Sequence, residues 1–134
     1  MKSIKSIKKL ILVMLILLAA VTLVGCSEKK VSNDVFNIGI IVYDKNQNVV
    51  YEKEETVNIE NLLEALESID DLKIEKEESQ YGAFITSING IKQEDPYYWN
   101  YYVNGDYATV GISSYKINDN DKFEFRLEKF EGGE

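Results

Sequence analysis

The feature that most restricts what this chain can build is its hydrophobic N-terminal segment, which ends on the only cysteine. Lys2, Lys5, Lys8 and Lys9 form a positive region, Leu10 to Val21 is apolar and free of charge, and Val24-Gly25 lead into Cys26. This is the layout of a secretory signal. The run is shorter than the roughly 20 apolar residues of a spanning helix, and the sequence turns polar at Ser27-Glu28-Lys29-Lys30. Cleavage is therefore expected rather than retention as a membrane helix, and residues 1–25 drop out of the folding problem. With no second cysteine there is no disulfide framework, so one modest core must hold the remainder together.

Leu23-Val24-Gly25-Cys26 resembles the lipobox of bacterial lipoproteins. The resemblance implies that the Cys26 thiol takes a diacylglyceryl group with palmitate-type chains, and that the signal is cut just before Cys26. An ordinary signal peptide with an incidental cysteine is the alternative. Two chains matter physically: at ~0.8 kcal/mol per buried CH₂, one chain is a marginal anchor and two make a stable one. The expected location is extracytoplasmic, held to the bacterial cell membrane by lipid.

Loss of the four leader lysines leaves 11 of the 15 basic residues against all 23 acidic ones. A field this negative repels phosphate backbones, which argues against a nucleic-acid partner. It also opposes lying flat on anionic lipid.

Residues 26–34 read as the lipidated cysteine and a short polar tether, 35–130 as one domain, and 131–134 as a tail. Phe36, Ile38, Ile40 and Val42 alternate at period two, and Asp44 to Asn48 is a turn cluster before a second strand running from Val49 toward Val57. A helix is expected from near Asn58, with Asn58 as its cap. Ile59, Leu62, Leu63, Leu66 and Ile69 share its apolar face, which should cover a sheet. Leu72 to Lys76 alternates, Ala83 to Ile88 is β-prone, Tyr98 to Val103 is an aromatic strand, and Tyr107 to Tyr115 is weaker and partly loop. Phe123 to Leu127 alternates so strictly that one face must be buried. The pattern is α+β, a β-grasp-like mixed sheet with one covering helix.

Four blocks in order carry a second resemblance: Asn61 to Leu66, Tyr81 to Ile91, Tyr98 to Gly105 and Val110 to Tyr115. Together they are similar to the C-terminal β-domain of transcobalamin and intrinsic factor, over about Val35 to Leu127. Small bacterial lipoproteins bearing this single domain belong to the same family. The resemblance implies a β-grasp domain that contributes contacts to a cobalamin from two segments. The first is Gln80, Tyr81, Gly82, Ala83, Phe84 and Ile85; the second is Trp99, Asn100, Tyr101, Tyr102, Val103 and Asn104. The chain departs from the carriers in lacking their helical-barrel half and in having no histidine to ligate cobalt. Tyr81 stands where the carriers usually place a tryptophan.

The residues themselves point partly the same way. Strand alternation sends Trp99 and Tyr101 to one face and Tyr98 and Tyr102 to the other, and both faces cannot be core beneath one helix. Either one set is partly exposed, suited to a flat ring, a sugar or a partner, or it packs under the loop from Ile91 to Pro96. Gly82 fits a close ligand approach or, more simply, a bulge. Asn118-Asp119-Asn120-Asp121 has oxygen donors for Ca²⁺ but lacks the spacing of an EF-hand loop, and a hairpin turn is the favoured reading.

Catalysis has little support. Without histidine, and with Cys26 committed to lipid, neither a Ser-His-Asp nor a Cys-His arrangement is available. No spacing singles out a carboxylate pair, and phosphate loops and thiolate or imidazole metal sites are missing. Two function classes stay open. One is a ligand-binding lipoprotein that catches a corrinoid, with cobalamin as ligand rather than resident cofactor, or another flat amphipathic molecule, for an importer. The other is a surface module for a protein or glycan. A concavity bordered by Tyr81, Phe84 and Trp99 would favour the first, and a flat aromatic patch the second.

Cys26→Ser is expected to abolish membrane retention while leaving the domain folded. Fractionation after a salt wash checks this, and a variant still found with membranes would refute the anchor.

Overall fold

The strict alternation at 123–127 sits at the centre of the molecule: Phe123, Phe125 and Leu127 are buried, while Glu124 and Arg126 between them are only half covered. The computed structural model describes residues 3–19 and 31–132. Cys26, with the cleavage and lipidation read for it, lies outside the described residues. Ser3–Ala19 forms helix α1 within the segment read as the signal, and Ile7 and Leu10 through Met14 on it are exposed. No described helix is long and apolar enough to cross a membrane.

The domain is α+β, as the patterning predicts, with its strands divided between two sheets. Strands β1 (Val31–Tyr43), β2 (Val49–Ile59), β6 (Tyr97–Val103), β7 (Asp106–Tyr107) and β8 (Lys122–Lys129) form a five-stranded sheet in the order β2-β1-β8-β6-β7. In it β8 runs parallel to β1 and antiparallel to β6. Strands β3 (Glu75–Ser79), β4 (Gly82–Ile88) and β5 (Ile91–Lys92) form a three-stranded antiparallel sheet.

β1 and β2 make the expected hairpin, with Ile40 opposite Lys53 and Val42 opposite Tyr51. Its turn is closed by Asp44, whose Oδ1 accepts from the backbone N–H groups of Asn46 at 2.8 Å and Asn48 at 2.9 Å. These bonds, that from Asn48 foremost, hold the Asp44 carboxyl below its ordinary range. β1 starts at Val31, earlier than the Val35 read from alternation, because Val31 pairs with Ile59 across an irregularity in register before Phe36. The same pairing moves the helix. Asn58 stays extended in β2, and the cap is Asn61, whose side-chain oxygen accepts from Glu64 N at 3.1 Å.

Helix α2 (Leu62–Glu67) is short, and it buries Leu62, Leu63, Ala65 and Leu66 in one core with Ile38, Ile40, Phe123 and Phe125. A 3₁₀ turn at Asp70–Leu72 follows and ends on Lys73 in the left-handed region at φ 48°. Leu72 is therefore a fully buried turn residue rather than the start of a strand, and β3 begins only at Glu75, with all five of its residues exposed.

Truncating Leu66 or Leu63 to Ala is expected to cost about 2–5 kcal/mol, a large share of the ~5–15 kcal/mol typical of a domain. Thermal unfolding of both variants checks this. Unchanged midpoints would remove α2 from the cooperative core.

Candidate ligand-binding cleft

β6 carries its aromatic residues on both faces, and the two faces have different fates. Trp99, Tyr101 and Val103 turn toward the core and are half-buried against it. Tyr98 and Tyr102 turn the other way. The Tyr102 hydroxyl donates to the Glu128 carboxylate at 2.9 Å, and Tyr98 donates to Asp95 Oδ1 at 3.2 Å and meets Phe130 edge-on. Neither set is fully buried, and Tyr98 remains 37% exposed.

On the inner side, β4 and β6 stand across from one another and leave a cleft of about 330 Å³. One wall is Ala83, Phe84 and Ile85; the other is Trp99, Asn100 and Tyr101, with Phe125 of β8 also contributing. Hydrogen bonds orient these walls. Trp99 Nε1 donates to Ile91 O at 3.2 Å, and the Asn100 side-chain amide donates to Glu128 Oε2 at 3.0 Å. Tyr101 stacks on Phe125 with ring centroids 6.0 Å apart. Its hydroxyl donates to Val110 O, and its own carbonyl accepts from Ala108 N at 3.1 Å.

Those last two bonds bring in a third wall, Tyr107 to Ile112, which the reading of two contact segments did not include. Its signal was available: residues 107–115 carry no charge in a chain that is 28% charged. The far end of this loop is tied to the start of α2. Asn61 Nδ2 donates to Ser113 O at 2.8 Å and Leu62 N to Tyr115 O at 3.0 Å.

Six of the twelve expected contact residues therefore line one cleft, and six do not. Gln80 and Tyr81 form the hairpin tip between β3 and β4, where Tyr81 is 90% exposed. The concavity is bordered by Phe84 and Trp99 but not by Tyr81. Gly82 is no bulge. It closes the hairpin opposite Ser79 at φ +108°, and a Cβ there would lie 2.8 Å from Ser113 Oγ. Tyr102 faces away, Val103 packs on the core, and Asn104 sits in a turn at φ 53°.

The Asn118–Asp121 run is a turn, with Asp121 N donating to Asn118 O at 3.1 Å. The buried Asp121 carboxylate accepts from Asn104 Nδ2, Tyr115 Oη and Asn118 N at 2.8–2.9 Å. Among the described residues, no group of three or more His, Cys, Asp or Glu is placed to hold a metal ion.

Residues 60–129 match the family described as "Domain of unknown function (DUF4430)". The chain belongs to that family. Its β-rich fold is also found in a crystal structure from Ruminococcus gnavus ATCC 29149 described as that of a "putative metal binding protein", at 24% identity and a TM-score of 0.65. That match covers 71% of this DUF4430 chain and 98% of the other. Haptocorrin in complex with Cbi matches at 22% identity and a TM-score of 0.61, over 80% of this chain and 28% of that one. The fold is thus transcobalamin-like, and the chain spans little more than a quarter of haptocorrin. Among curated proteins, none matches significantly.

Burial pushes the Tyr101 phenol from its ordinary 10.0 up to about 12. The unfolded chain releases this proton first, so the stability contributed is complete below pH 10 and is lost as pH climbs through about 12. Tyr101→Phe loses the bond to Val110 O, about 1 kcal/mol at neutral pH, and the gap to wild type should close across that window. Denaturant midpoints measured against pH check this; a gap independent of pH would contradict it.

Proposed function

We propose that this DUF4430 protein is a membrane-anchored extracytoplasmic lipoprotein that binds a ligand and does no chemistry on it. Its cleft takes the flat apolar face of a corrinoid, or a molecule of like shape, for delivery to an importer. The observation that carries this reading is the aromatic cleft in which Ala83–Ile85 and Trp99–Tyr101 stand side by side. These are the last half of one and the first half of the other of the two segments that the transcobalamin resemblance implies for cobalamin contact, and the haptocorrin likeness in fold supports the same reading. The lipobox at Cys26 supports the anchor.

A cleft of about 330 Å³ lies at the small end of ligand pockets, and covers one side of a large ring. One open cleft supplies contacts to only one face of such a ring, so affinity should be micromolar or poorer, as ~8 kcal/mol already corresponds to micromolar. A second reading, a protein- or glycan-interaction module, has one observation in its favour: the exposed rings of Tyr98, Phe130 and Tyr81 lie outside the cleft.

Titration of the mature domain with cobalamin and cobinamide separates the two. Trp99 is the only tryptophan, so saturable quenching, corrected for absorption by the corrin and matched by calorimetry, has a single source. Saturation that Phe84→Ala removes by both quenching and calorimetry, and Trp99→Ala by calorimetry, with the fold intact is the expected result. No heat and no saturation at millimolar corrinoid would leave the interaction module as the better account.

A further inference from the structure

The cleft differs sharply in composition from the chain that builds it. Acidic residues dominate the sequence, with 23 Asp and Glu in 134 residues, yet no residue lining the cleft carries a charge. Its principal polar groups are already engaged with protein. The Trp99 N–H is donated to Ile91 O and the Tyr101 O–H to Val110 O, while the Asn100 amide turns with Tyr102 to Glu128 on the outer face. Among the side chains, that leaves the hydroxyls of the exposed Tyr107 and Thr109 as neutral polar groups at the cleft.

Resting on the ligand-binding reading above, we infer that this cleft selects by charge, accepting uncharged planar rings and rejecting rings whose edge bears carboxylates. Two physical terms act in the same direction. An anionic ligand approaches against the field of a strongly acidic domain, which lowers its local concentration. Once inside, a carboxylate gives up water and meets no cation among the lining side chains, a cost that an amide or hydroxyl of the same shape largely escapes. The first term is long-range and screened by salt, whereas the second belongs to the cleft and survives screening. Position 109 is the place to test the second term, because Thr109 is exposed and lies on the lining.

The experiment compares two forms of one ring by calorimetry on the mature domain. Dicyanocobinamide is uncharged and edged with amides; dicyanocobyrinic acid is edged with carboxylates. The uncharged ring should bind at least about tenfold tighter, a difference of about 1.4 kcal/mol. That preference should persist in 1 M salt, where the screening length is about 3 Å. In Thr109→Lys, with its fold verified by circular dichroism, the preference should narrow. Equal affinities, a preference seen only at low salt, or a preference untouched by Thr109→Lys would each overturn selection by the cleft while leaving ligand binding in place. Binding of neither form would overturn the ligand reading and this inference with it.

Discussion

Everything in this domain depends on the insertion of β8 between β1 and β6. The last strand of the chain pairs in parallel with the first strand of the domain, Ile40 opposite Phe123 and Val42 opposite Phe125. On its other edge Phe125 lies opposite Tyr101 and Leu127 opposite Trp99. One face of β8 therefore supplies the two largest fully buried side chains of the core, Phe123 and Phe125, and Phe125 also reaches the cleft. Core and cleft share this strand, so neither is complete without the other. Because the partners of β8 on β1 lie some 80 residues earlier, closing this arrangement requires long-range order rather than local propensity.

The opposite face of the same sheet explains how a strand so rich in aromatics accommodates rings on both of its sides. Arg126 forms two bonds to Glu124 Oε2 at 3.1 and 2.8 Å and one to Gln47 Oε1 at 2.7 Å. Its guanidinium lies over the Tyr43 ring, 4.1 Å from the centroid, and 5.7 Å from the centroid of Tyr102 on the other neighbouring strand. Glu128 meanwhile accepts from both Asn100 and Tyr102. Half-buried pairs of this kind contribute modestly one by one. Their joint effect is to give the outward rings polar neighbours, which accommodates both aromatic sets at β6 without a second covering layer.

Features generated by local periodicity were legible in the sequence. The alternation at Phe123 to Leu127 located the central strand, the Leu62, Leu63 and Leu66 stripe located the helix, and the aromatic run located β6. Features decided by distant pairing were not. Asn58 and Asn61 are equally good caps by composition, and the choice between them is made by Ile59 pairing with Val31 and by Leu62 N bonding to Tyr115 O. Leu72 fits an alternating strand, but its burial is satisfied in a turn, where its carbonyl accepts from Asn89 N at 2.7 Å. The site followed the same rule. The two facing segments came from the transcobalamin resemblance as contiguous blocks, so Gln80, Tyr81 and Asn104 entered by adjacency in sequence although turn geometry carries them away from the cleft.

The third wall shows why adjacency fails. Residues 107–112 have little regular structure beyond β7, and their position is imposed from outside. Tyr101 holds the loop at Val110, and Asn61 with Leu62 holds it at Ser113 and Tyr115. The loop then returns to β8 through Tyr115, whose hydroxyl donates to the buried Asp121 while its ring meets Phe123 edge-on at 5.6 Å. Asn104 completes this junction, donating to Asp121 Oδ1 and accepting from Lys122 N at 2.9 Å. An acidic turn that could be read as a cation loop thus spends its buried carboxylate on joining the end of β6 to the start of β8. The wall of the cleft is fastened to the same strand that organises the core, and the shape offered to a ligand is set by the packing of the whole domain.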